Sequence, residues 1–290
     1  MKFGIYYAYW EKQWGGDYLR YPEKVASLGF DLLEISCAGV ADMTDRQLGE
    51  LRASADGCGI AMSGNYGPRP CEDITSADRA VVENAFEFWG RTFEALEKLR
   101  ISFVAGALYS YWPVDFSKPV NKAGDRARSV TEMKKLAKVA AGYGITLGME
   151  VLNRFEGYLL NTSEEAVAYV REVGEPNVKV MLDTFHMNIE EDSITGAIRT
   201  AGDLLGHVHA GEANRRPPMD GGRFDWREIG AALRGIGYGG DVVMEPFVMS
   251  GGQVGGDIKV WRNLEADIGE AALDRSAAAS VKFLREVLGR

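Results

Sequence analysis

Short apolar runs rich in β-branched side chains alternate along this chain with longer stretches in which apolar positions recur every three or four residues. The short runs predict strands at Phe3–Ala8, Asp31–Ile35, Ile60–Ser63, Ser102–Ala105, Ile145–Val151, Val178–Leu182, Leu205–His209 and Val242–Glu245. The periodic stretches predict helices at Tyr21–Leu28, Asp45–Cys58 with Thr44 as N-cap, Ala77–Leu99, Asp125–Tyr143, Ser163–Val173 after Thr162, Thr195–Ala201, Trp226–Ile236 and Leu273–Leu288. Strands that alternate with helices imply an α/β chain with a parallel sheet and right-handed crossovers. Eight such units in 290 residues fit a closed (β/α)8 TIM barrel. An open doubly wound sheet is the alternative, but no strand runs into GxGxxG or a P-loop. No linker or composition break divides the sequence, so residues 1–290 read as one barrel domain with a C-terminal helix.

Barrels of this kind place their chemistry at the C-terminal ends of the strands. There the sequence offers Tyr6 and Trp10, then Glu34 and Cys37, then Ala107, Tyr109 and Trp112. Glu150, Asp183 and His186, His207, His209 and Glu212, and Glu245 and Phe247 follow at the later strands. All three histidines lie at two strand ends, in VKVMLDTFHMN and HVHAGE. Strands five to eight each end on a metal-compatible side chain, Glu150, Asp183, His209 and Glu245, separated by 33, 26 and 36 residues. Each interval is about one βα unit, so adjacent strands project the four side chains into one mouth. Taken singly, residues at these strand ends have ordinary explanations: a helix cap for Asp183, a salt bridge for Glu245, a hydrogen-bonded core imidazole for the neighbouring His186. Four in register are hard to explain that way. Three carboxylates and one imidazole suit Mn²⁺, Co²⁺ or Mg²⁺ better than a structural Zn²⁺ site, and a dication would leave the set near −1, which favours a neutral ligand.

Glu150 and Glu245 stand on strands five and eight, across the cavity from one another. One carboxylate can remove a proton from one face of a carbon beside a carbonyl while the other returns a proton to the opposite face. A cation between them can hold adjacent oxygens and stabilise an enolate. Glu156 in EVLNRFE and Arg215 in GEANRR are further polar candidates, although Arg215 alone could equally be a solvated loop charge. Tyr6, Trp10, Trp14, Tyr109, Trp112 and Phe247 supply aromatic walls typical of small-molecule pockets, and Trp261 could be wall or core.

Charge and composition narrow the partners. A net charge of −9 and a pI near 5.1 argue against nucleic acid and anionic membranes. The three cysteines form no paired or CxxC spacing, the N-terminus lacks a signal-peptide pattern, and no apolar run is long enough to span a bilayer. Cytoplasmic residence with reduced thiols is expected.

The segments GIYYAYW, GALYSYWP, EVLNRFE, NVKVMLDTFHMNIEEDS, AIRTAG, GHVHAGEANRR, VVMEPFV and DIKVWR carry a resemblance that spans Gly4 to Arg262. The chain resembles the ketose 3-epimerases, that is, the D-tagatose and D-psicose (D-allulose) 3-epimerase family of xylose-isomerase-like barrels. The resemblance implies that Glu150, Asp183, His209 and Glu245 hold a divalent metal, Mn²⁺ or Co²⁺. It makes Glu150 and Glu245 the acid/base pair, working through a cis-enediolate between C2 and C3 of a free ketose. Glu156, His186 and Arg215 would bind sugar hydroxyls. Tyr6, Trp14, Trp112 and Phe247 would line the pocket, and the subunits would form homodimers or homotetramers. Two stretches depart from the family pattern: Asn65 and Tyr66 after strand three, and the Gly-rich loop Arg216–Phe224. Both are expected to border the pocket or its lid. Another sugar isomerase or dehydratase on the same barrel, or a sugar-binding barrel without catalysis, is the competing reading.

Overall fold

In the computed structural model, which describes residues 1–289, the eight predicted strands close into a parallel barrel. They are β1 Phe3–Tyr6, β2 Leu32–Ser36, β3 Ala61–Asn65, β4 Phe103–Gly106, β5 Thr146–Glu150, β6 Val178–Asp183, β7 Leu205–Ala210 and β8 Asp241–Met244. They pair in chain order, and β1 closes on β8 through Gly4 opposite Val243. Parallel strands covered by helices are buried on both faces, which explains the continuous apolar runs. Two boundaries move in ways that matter. The first strand ends at Tyr6 and passes into a 3-10 turn, Tyr7–Trp10, rather than running to Ala8. The last strand stops at Met244, so Glu245 follows it on the adjoining loop.

Ten helices wrap the described part of the barrel: α1 Tyr21–Ser27, α2 Asp45–Cys58, α3 Arg79–Lys98, α4 Lys122–Gly142, α5 Ser163–Val173, α6 Thr184–Glu190, α7 Ile194–Ala201, α8 Trp226–Gly235, α9 Gly252–Asp257 and α10 Glu270–Leu288. Local capping sets several starts. The Thr44 hydroxyl accepts from the Gln47 N–H while Gln47 reaches back to the Thr44 N–H, a capping box that begins α2. The Asp78 carboxylate likewise caps α3. Helix α3 then buries Ala85, Phe88, Trp89, Phe93 and Leu96 on one side. Helices α6 and α9 are additions to the expected set.

Side chains alternate across each strand, so Glu34 and Ser36 on β2 and Ser63 and Asn65 on β3 point to the barrel interior. The pairing puts Glu34 level with Ser63, and Ser36 level with Asn65 nearer the mouth. Gly106 fixes the neighbouring turn. Its φ is 119°, and a Cβ there would lie 2.2 Å from the Tyr66 carbonyl oxygen. Because the obstacle is backbone, Gly106→Ala is expected to destabilise the fold by about 3 kcal/mol. Urea unfolding of the variant checks this, and an unchanged midpoint would contradict it.

Candidate active site

Glu150 and Asp183 are the last residues of β5 and β6, His209 lies one residue before the end of β7, and Glu245 follows β8. Each offers a ligand atom within 4.8 Å of the others'. Asp183 meets both of its sequence readings at once: Oδ1 accepts the Phe185 N–H at 2.7 Å and starts α6, which leaves Oδ2 for the cluster. Glu150 and Glu245 line a cavity of about 320 Å³, whereas Asp183 and His209 do not contribute to its lining.

The donor set fits a divalent cation. His209 Nδ1 is buried with no hydrogen-bond partner, 3.4 Å from Glu245 Oε1 and 3.9 Å from Glu150 Oε1. A buried ring nitrogen left unpaired costs about 1–3 kcal/mol unless something binds it. Burial, and then the neighbouring Glu245, push the Glu150 carboxyl well above its ordinary pKa. Burial also raises the Asp183 carboxyl. Crowded carboxylates that resist ionisation in an apolar surround become stable anions beside a cation.

Beneath the quartet lies an arrangement that the sequence did not reveal. Glu34 Oε1 is 2.6 Å from His209 Nε2, and its Oε2 is 3.0 Å from His207 Nε2 and accepts the Ser63 hydroxyl at 2.8 Å. Burial opposes the Glu34 charge, but His209 and His207 outweigh it and hold the carboxyl well below its usual range. A carboxylate on Nε2 places that ring proton away from the cluster and leaves the Nδ1 lone pair facing Glu150 and Glu245. Glu34→Ala is therefore expected to weaken Mn²⁺ binding by about 10- to 100-fold. Calorimetric titration of stripped protein measures it, and undiminished affinity would show that His209 needs no such support.

The expected substrate-binding residues converge on the same cavity: Tyr6, Trp14, Trp112, Glu156, His186, Arg215 and Phe247 all line it. Arg215 has φ 67°, and its Nη1 donates to Glu245 Oε2 at 2.8 Å and Asp183 Oδ2 at 3.3 Å. Its Nη2 donates to Glu156 Oε1 at 3.3 Å. The guanidinium lies 3.9 Å from the Phe185 ring centroid, so it is a buried, oriented donor rather than a solvated loop charge. Asn153 was not anticipated. Its backbone N–H and side-chain amide meet His186 Nδ1 at 3.1 and 2.7 Å, and the amide also donates to Glu156 Oε1 at 3.0 Å. Two donors on Nδ1 assign the His186 proton to Nε2, and burial lowers the pKa of the ring to about 3, keeping it neutral. Trp14 is fixed by its Nε1–H bond to Asp257 at 2.6 Å and meets Phe247 and Trp112 edge-on.

Other strand-end candidates serve elsewhere. Trp10 donates to Asp274 on α10, and Tyr109 donates to the Glu150 carbonyl from behind the strand. His207 stacks on Phe103, Cys37 is buried behind β2, and Trp261 is 74% exposed, neither wall nor core. Glu212 accepts from the Arg223 N–H and the Trp226 indole and so organises the loop Arg216–Phe224. That loop contributes no residue to the cavity wall, whereas Asn65 and Tyr66 do.

A parallel eight-stranded barrel with this cluster at its C-terminal mouth defines a class, and the sequence agrees. The chain belongs to the xylose isomerase-like TIM barrel family, whose model matches residues 22–286. Over 288 residues it is 53% identical to the D-psicose 3-epimerase of Ruminiclostridium cellulolyticum, covering 99% of this chain and 98% of that one. It is 51% identical to the D-psicose 3-epimerase of Agrobacterium fabrum, covering 100% of both. A crystal structure of D-psicose 3-epimerase with D-tagatose from Clostridium cellulolyticum H10 superposes with a TM-score of 0.98, at 53% identity and 99% coverage of each chain.

Proposed function

We infer that this chain is a ketose 3-epimerase that interconverts D-fructose and D-psicose, and related free ketose pairs, by inversion at C3. The observation that supports this reading is the pair of carboxylates, Glu150 and Glu245, that line the cavity from β5 and from the loop after β8 and cluster with Asp183 and His209. One carboxylate accepts the C3 proton from one face of the sugar. The electron pair moves into a cis-enediolate across C2 and C3, and the other carboxylate delivers a proton to C3 from the opposite face. In the reverse direction the two exchange roles. Glu150, Asp183, His209 and Glu245 would hold a divalent cation, Mn²⁺ or Co²⁺ for this oxygen-rich set, and that cation would supply positive charge beside the developing oxyanions. The neutral His186 donates through Nε2–H, Arg215 donates through its guanidinium, and Glu156 accepts from a hydroxyl. Tyr6, Trp14, Trp112 and Phe247 exclude water from the enediolate.

Among the described residues, no helix is long and apolar enough to cross a membrane. All three cysteines are free, which supports residence in the reducing cytoplasm. Exposed Phe155 and Trp261 offer apolar surface for a homodimer or homotetramer.

The test is metal-stripped protein incubated with D-fructose in heavy water, with and without Mn²⁺. D-psicose carrying deuterium at C3, formed only with the metal, is the expected result. Mannose or glucose labelled at C2 would instead indicate an aldose–ketose isomerase.

A further inference from the structure

Helix α9 stands outside the eight repeats of strand and helix, and it braces the loop that carries Trp14. Around that ring the loop is open: Lys12, Gln13, Gly16 and Asp17 are exposed, whereas Trp14 is half-buried and lines the cavity. The Val254 N–H donates to the Lys12 carbonyl at 3.1 Å, and the Trp14 Nε1–H donates to Asp257 Oδ2 at 2.6 Å. Val254 and Asp257 are three positions apart on α9 and so share a face, and a single turn of helix grips the loop at two points. Gly252 allows the contact, since its φ is 69° and a Cβ there would lie 2.1 Å from the Lys12 carbonyl oxygen.

The brace bears on the cavity. Asp257 and Ile258 line it along with Trp14, whose ring meets Trp112 and Phe247 edge-on at 5.9 and 6.2 Å between centroids. A large ring on an exposed loop has staggered rotamers that point to solvent as well as inward. A hydrogen bond to a carboxylate is stronger than one between neutral groups, and here it selects the inward rotamer. A ligand whose binding-competent state is only fractionally populated binds more weakly by that fraction. A wall set before the ligand arrives removes that loss.

We propose that Asp257 is a positioning residue: through the Trp14 indole it latches the loop after β1 to α9 and completes the aromatic wall of the cavity before a sugar enters. This rests on the epimerase reading for the identity of the ligand. Loss of Asp257 frees Trp14 to leave the wall, so sugar binds more weakly, but the complex that forms is the same and turns over as before. Asp257 acts through the indole N–H, so its removal has no consequence where that N–H is absent.

The experiment measures calorimetric binding of D-psicose, and KM and kcat for C3 inversion, on the Mn²⁺-loaded protein. The set is wild type, Asp257→Ala, Asp257→Asn, Trp14→Phe and the double variant Trp14→Phe with Asp257→Ala. Asp257→Ala is expected to raise Kd and KM together roughly five- to tenfold and to leave kcat within about twofold. Asp257→Asn keeps an acceptor oxygen and should recover most of the loss. Trp14→Phe keeps a ring without an N–H, so adding Asp257→Ala to it should weaken binding by less than about twofold further. An equal loss from Asp257→Ala in both backgrounds would mean that Asp257 meets the sugar itself or acts through the fold, and would overturn the assignment. A loss confined to kcat would overturn it too. Should Asp257→Ala not fold, Asp257→Leu, close to Asp in shape and without an acceptor, takes its place in the cycle. Weaker binding in Asp257→Ala with no C3 inversion by any of the proteins would unseat the epimerase reading and leave the latch standing. C3 inversion with binding unmoved by Asp257→Ala would do the reverse.

Discussion

Glu150→Gln and Glu245→Gln, each purified folded, are expected to lose C3 inversion by about 10²- to 10⁴-fold, the range for removal of a positioned acid or base. Glutamine preserves shape and removes only the proton-transferring group and its charge. The two variants also differ from one another in an informative way. The carboxylate that remains still faces one side of C3. Solvent deuterium should therefore enter C3 without inversion, and only in the epimer whose C3 proton points at that carboxylate. Glu150→Gln and Glu245→Gln should thus favour opposite epimers. A variant that had merely lost its cation would exchange neither. Each product mixture is read by NMR in heavy water, and Mn²⁺ content is measured alongside. Near-normal inversion in either variant would sink the two-carboxylate mechanism.

The features behind that expectation were largely visible before any coordinates. Glu150, Asp183, His209 and Glu245 could be assembled because barrel topology converts sequence spacing into adjacency, and each residue closes an apolar run. The supports around them were not visible. Glu34 reaches His209 across 175 positions in the chain, and Asn153 reaches His186 across 33. Such pairs depend on how the barrel closes and on a loop path that no local pattern encodes. Asn153 did leave a trace, since EVLNRFE spaces Glu150, Asn153 and Glu156 three residues apart. Helix α9, GQVGGD, escaped notice because three of its six residues are glycine, a poor helix former. Trp261 was misplaced because aromatic identity alone does not tell whether a ring faces the interior or solvent, and this one is exposed. The loop Arg216–Phe224 was expected to border the pocket or its lid because it departs from the family pattern. Its Gly222 packs so closely on the Glu212 carboxylate that a Cβ would lie 2.3 Å from Oε1, and this draws the loop around Glu212 instead.

Metal removal should have the second large effect, on stability as well as on turnover. Three carboxylates and an imidazole are buried within 4.8 Å of one another, with Arg215 as the cation within reach. In the stripped protein, burial and Glu245 raise the Glu150 pKa. Burial disfavours the charged form of His209, but Glu245 and Glu34 outweigh it and raise its pKa as well. Groups whose folded pKa is raised contribute stability below their unfolded values and lose it as pH climbs through the folded ones. The contribution of Glu150 and His209 to the stability of the stripped protein should therefore fall as pH rises through these raised values. Mn²⁺ binding, which displaces those protons, should strengthen over the same interval. Chelation is expected to abolish epimerisation, and Mn²⁺ at one hundred times its Kd should restore it and add about 2.7 kcal/mol to stability. The gap in melting temperature between loaded and stripped protein should widen as pH is raised. Scanning calorimetry at several pH values decides the matter. A gap independent of pH, or turnover that survives exhaustive chelation, would mean that the cluster does not hold its carboxylates for a cation.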